Sequence, residues 1–302
     1  MAPQPVSELA DGRRPPFGYL PRRTALAAAL LALAGVGWLV SDLRMAGMDA
    51  GPGTNPGAFG FYISTWVVMM AAMMLPAITP MAIAYSDLER ERRRRPRSTA
   101  NAGNTALFVA GYLAVWAAAG LLGYALLESG RTLAGGLFAW DRAGRPAAAA
   151  VLAAAALYQL TPSKRVCLMR CRGRRASLLK GRRDGRGGAL RTGVEHGAWC
   201  LGCCWALMAA LFALGAMSVA WMVLISALIA VERLLPWRAL ATAGVTSVLA
   251  VIAIGVAAAP ARVPMLTIPG SPTAIRAMSM SPRRAKVPQA GRIPSGIHPI
   301  AR

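Results

Sequence analysis

An all-α, polytopic transmembrane helix bundle is the fold class this chain predicts, and three observations predict it. Of its 302 residues 56% are hydrophobic, with a mean hydropathy of +0.45, too apolar for an ordinary soluble domain. The apolar residues fall into runs near 20 residues long, the length a helix needs to cross a bilayer. The basic residues, which give a net charge of +22, lie in blocks between those runs. Basic blocks flanking membrane spans account for this charge more simply than a nucleic-acid surface does, so lipid is the expected partner and nucleic acid is not.

Seven runs qualify in order: 25–43, 61–85, 105–127, 146–161, 197–214, 217–231 and 240–259. The fourth is short and mostly Ala, and the sixth is short as well, so six spans and seven are both compatible with the pattern. The first run follows Arg22 and Arg23 and resembles a signal sequence. It is long and lacks a clear cleavage site, and it reads as a retained helix. The chain therefore divides into a cytoplasmic N-terminal segment (1–24), a transmembrane metal-binding domain (25–259) and a disordered Pro/Arg-rich tail (260–302) that holds His298 without sequence partners. Six Arg lie in 89–97 and eleven Lys or Arg in 162–195. This bias puts the N-terminus and both basic loops on the cytoplasmic side of the inner membrane. The seven basic residues of the tail pull the other way and weaken the seven-span count.

The chemistry concentrates in His196–Cys204, nine residues with three of the five cysteines and one of the two histidines. Thiolate and imidazole ligands suit soft and borderline transition metals, Cu(I) and Zn among them. His196 and Cys200 are four apart, as are Cys167 and Cys171, so each pair shares a helical face. Cys203 and Cys204 point about 100° apart on a helix and are not expected to contribute equally to one face. With the N-terminus inside, Cys167, Cys171, His196 and Cys200 all lie at the same membrane face, joined by one basic loop. Five cysteines confined to 167–204 are too odd in number and too clustered for a disulfide framework. Glu195 abuts His196 and is placed to orient its imidazole. Glu232 is expected to pair with its neighbour Arg233 at the interface.

The second run carries Met69, Met70, Met73 and Met74, two rows of thioethers with period four, followed by Pro76, Pro80 and Met81. Thioethers are ligands for Cu(I) and poor ones for Zn, which places Cu(I) ahead of Zn as the cofactor. Met45 and Met48, near Asp42, extend the series on the outer side. Together these residues trace a soft-ligand path across the membrane to the cysteines.

The blocks MMAAMMLPAITPM (69–81), YQLTPSKRVCLMRC (158–171), GVEHGAWCLGCCWALM (193–208) and VERLLP (231–236) together resemble the domain-of-unknown-function 2182 family of predicted metal-binding integral membrane proteins. The resemblance spans about residues 25–258 and implies functional positions at Met73, Met74, Pro76, Pro80, Cys167, Cys171, His196, Cys200, Cys203 and Cys204. Ser163 and the basic tail depart from its pattern. The leading expectation is a membrane protein that binds a soft metal for transport or delivery, with a metal donor or acceptor protein as partner. The alternatives are a membrane metalloenzyme or assembly factor, and a thiol redox protein using Cys200, Cys203 and Cys204. No Walker-type nucleotide loop is present, and Ser/His/Asp hydrolysis finds no support.

Overall fold

A backbone in lipid must satisfy its own polar groups, so an apolar run in a membrane becomes a helix. Each run foreseen from the sequence is one. The computed structural model describes residues 20–45, 58–94, 103–134, 140–173, 185–215, 218–264 and 266. The helices are α1 (Leu20–Met45), α2 (Phe59–Arg93), α3 (Asn104–Ala134), α4 (Arg145–Gln159), α5 (Pro162–Arg172), α6 (Gly185–Leu214), α7 (Val219–Leu234) and α8 (Arg238–Ala258). Among the described residues there is no strand, and the chain is an all-α helical bundle. Met48, His298 and nearly all of the expected tail lie outside the described residues, as do residues 1–19.

Five helices are long and apolar enough to cross a membrane: α1, α2, α3, α6 and α8. The other two runs form α4, with 15 residues, and α7, with 16. At about 1.5 Å per residue each covers about 22–24 Å, short of a hydrocarbon core about 30 Å thick. Several helices overrun the predicted spans. α2 continues to Arg93 and α6 begins at Gly185, because residues such as Arg, Glu, Ala and Leu favour helix outside lipid as well as in it. Most of the described part of the 162–195 loop is therefore helical, including α5.

α3 packs against α6, and glycine lets the two backbones come close. A Cβ at Gly193 would run into the Phe108 carbonyl, and one at Gly111 into the Leu190 carbonyl. Small residues at such crossings let backbones approach in membrane bundles. α2 is fastened to α3 by Trp66, whose indole N–H donates to the Trp116 carbonyl at 2.8 Å. Pro76 and Pro80 lie inside α2, where each removes a backbone donor. Thr79 Oγ1 adds a hydrogen bond to the Leu75 carbonyl at 2.8 Å in the same turn. α6 ends at Gly215, whose φ of 115° lies in the left-handed region that glycine enters without strain.

Candidate metal centre

α5 brings the two halves of the site together. Thr161 caps its first turn by accepting from the Lys164 backbone N–H, and Pro162 occupies the first helical position, where a missing N–H does no harm. Lys164 is buried and donates to both carboxylate oxygens of Glu232 on α7, at 2.6 and 2.7 Å. Arg172 donates to the carbonyls of Glu232 and Leu235 at the C-terminal end of α7, where orphan carbonyls need partners. Arg170 lies 4.2 Å over the Trp199 ring of α6. Held on both sides, α5 presents Cys171 to α6.

Four thiols meet there. Cys203 Sγ lies 3.8 Å from Cys171 Sγ and 3.5 Å from Cys204 Sγ. A single nitrogen, Arg233 Nη2, reaches Cys200 at 2.8 Å, Cys203 at 3.3 Å and Cys204 at 3.5 Å. The Tyr112 hydroxyl shares a 3.0 Å hydrogen bond with Cys200 Sγ. All four cysteines are free and buried. Cys203 and Cys204 are consecutive on the helix, yet their sulfurs lie side by side and both contact Arg233. On α5, beyond the spans, the Cys171 thiol is pushed above its usual range, first by hydrogen bonding to Cys200 and further by burial.

The expected charge pairing of Glu232 with Arg233 is replaced. Glu232 is bound to Lys164, which leaves Arg233 turned toward the thiols. Glu195 lies at the surface of α6 and pairs with Arg191 at 3.5 Å. His196 is buried with its ring centroid 6.0 Å from that of Phe108 and 5.9 Å from that of Tyr112. Cys167 lies one step away from the cluster, with its sulfur against Gly202 of α6.

The methionine helix borders the site through a cavity of about 370 Å³. Met73, Pro76, Pro80 and Met81 of α2 line it, opposite Cys171 and Arg233. Met69, Met70 and Met74 are buried in the core and do not line it.

The donor set is that of a soft metal. Metal–sulfur bonds of about 2.3 Å in a tetrahedron put neighbouring sulfurs about 3.8 Å apart, and the sulfur separations here are close to that edge. Among the described residues, no group of three or more His, Cys, Asp or Glu is arranged to hold a metal ion, and the Arg233 nitrogen lies among the thiols. Residues 63–256 match the PpoB2 family, described as copper chaperone. The chain belongs to that family.

Membership of the PpoB2 family supports copper involvement, and the matched range holds every thiol and thioether of the site. The match does not carry the domain-of-unknown-function 2182 label suggested by the motifs. No curated protein and no solved structure matches the chain. Sequence reasoning missed Tyr112, Lys164 and the true partner of Arg233. Lys164 had a readable signal: a lysine in the first turn of a segment opened by a Thr-Pro cap, three residues after an apolar run.

Proposed function

We propose that this PpoB2 family member is a multi-pass membrane chaperone that carries Cu(I) as cargo on Cys171, Cys200, Cys203 and Cys204 and hands it to an acceptor protein. One observation carries the reading: four buried thiols from α5 and α6 meet beside a cavity walled by Met73 and Met81. Thiols alone suit Zn as well as Cu(I), whereas neighbouring thioethers favour Cu(I). Cys167 and His196 belong to this reading as neighbouring donors, while Met69, Met70 and Met74 pack the core of α2 away from the cavity. The arginines after α2 and in 162–195 support a cytoplasmic N-terminus in the inner membrane, with the thiol end of the bundle inside.

Elemental analysis of the purified full chain beside a Cys200→Ser/Cys203→Ser/Cys204→Ser variant tests it. Wild type grown with copper is expected to retain copper at a fixed ratio, and the variant to lose it. X-ray absorption at the copper edge is expected to give a shell of sulfur without nitrogen or oxygen. Equal trace metal in both proteins sinks the reading.

A further inference from the structure

Arg233 occupies an unusual place for an arginine. Its Nη2 contacts three sulfurs of α6 at 2.8, 3.3 and 3.5 Å, which is where a bound cation would be sought. The adjacent carboxylate, Glu232, is committed to Lys164 through both oxygens. The charge of Arg233 is thus set against sulfur. Its Nε is buried without a hydrogen-bond partner, so the guanidinium is only partly satisfied in this seat. Beside it lies the cavity of about 370 Å³, with Arg233 itself in the wall.

We propose that Arg233 is a tethered counter-cation that fills the cargo position between deliveries, so that loading and release are an exchange between Cu(I) and the guanidinium. The inference rests on the chaperone reading above. Cu(I) and the guanidinium each carry one positive charge, so for a given number of thiolates the swap leaves the charge of the buried site unchanged. That matters in lipid, where an uncompensated group of thiolates is expensive. Two cations cannot share the space between the same sulfurs, so copper enters only as the side chain withdraws toward the cavity. The Cu–S bonds to Cys200, Cys203 and Cys204 replace their contacts with Arg233, and the bond to Cys171 replaces its contact with Cys203. The guanidinium keeps its protons, copper stays Cu(I), each thiol that binds copper as a thiolate gives its proton to water, and the donor's ligands leave with their own electron pairs. On release the steps reverse. A tethered competitor has a fixed effective concentration, which holds the affinity low enough for hand-off without a second ligand.

Copper affinity and heat stability of the detergent-solubilised full chain, measured under reducing conditions, test the exchange. Wild type, Arg233→Gln, Arg233→Lys and the triple Ser variant are titrated with Cu(I) against a chromophoric Cu(I) chelator. Hydrogen bonds to charged groups are strong enough that Arg233→Gln is expected to bind Cu(I) about tenfold more tightly and to yield it more slowly to the chelator. Without copper, Arg233→Gln is expected to melt below wild type, so its melting temperature rises more on loading. Arg233→Lys is expected between the two on both readouts. A merely structural arginine predicts weaker binding and the same rise on loading, and that result overturns the exchange. If Arg233→Gln does not fold, an Arg233→Lys protein with wild-type affinity and wild-type rise overturns it as well. If wild type loads no more than the triple Ser variant, the chaperone reading falls and the exchange with it. Wild-type loading without tightening in Arg233→Gln removes the exchange alone.

Discussion

Glu232 and Arg233 are adjacent in sequence and opposite in charge, which invites pairing them, yet consecutive residues of a helix diverge by about 100° and do not face each other. In α7 the carboxylate turns to Lys164 and the guanidinium to the thiols. The same helical spacing that gives Cys167 and Cys171 one face argues against the Glu232–Arg233 pair; what the sequence withheld was the partner each would find across helices. The Lys164–Glu232 pair is almost wholly buried, at 1% and 3% exposure. Removing one member leaves the other charge unpaired, which costs about 3–5 kcal/mol, whereas replacing both with apolar residues is often neutral. Glu232→Gln is therefore expected to lower the melting temperature of the metal-free protein sharply. Lys164→Met with Glu232→Leu should restore most of it. A Glu232→Gln protein that melts with wild type would remove the pair as the anchor of α5.

At the scale of elements, the helices were readable because lipid and composition leave an apolar run no alternative. α5 was not, because its 11 residues carry Lys164, Arg165, Arg170 and Arg172 and never register as apolar. Its start was nevertheless written in Thr161 and Pro162. The depth of the α3–α6 contact was also invisible, since a glycine in a helix reads as a weakness until its neighbour is known. Gly193 faces the Phe108 carbonyl, while a Cβ at Gly187, earlier in α6, meets nothing within 4 Å. Ala is favoured over Gly in helices by about 1 kcal/mol, so Gly187→Ala is expected to be neutral or stabilising. Gly193→Ala is expected to reverse the sign and cost about 1–3 kcal/mol, as overpacking does. Thermal melting of the two variants side by side decides it. Equal behaviour would mean that the crossing of α3 and α6 is looser than described.

Across the whole molecule, the methionine helix and the cysteine block were both conspicuous in the sequence, and the fold brings part of α2 to a cavity shared with Cys171. Which thioether borders the thiols depends on how α2 is rotated against α5 and α7, and that is set by packing rather than by the Met pattern. All four of Met69, Met70, Met73 and Met74 are buried, yet Met73 alone of these lines the cavity beside Cys171. A Met→Leu change nearly conserves volume and usually costs under about 1.5 kcal/mol, so it removes sulfur while leaving the fold. Met73→Leu is accordingly expected to slow Cu(I) loading severalfold in stopped-flow mixing with a Cu(I) donor complex, with the final copper content unchanged because the four thiols remain. Met69→Leu, in the core and off the cavity, is expected to load at the wild-type rate. The contrast separates a route from a filling: slow loading in both variants points to general loosening of α2, and normal loading in both removes the thioethers from the path of the copper.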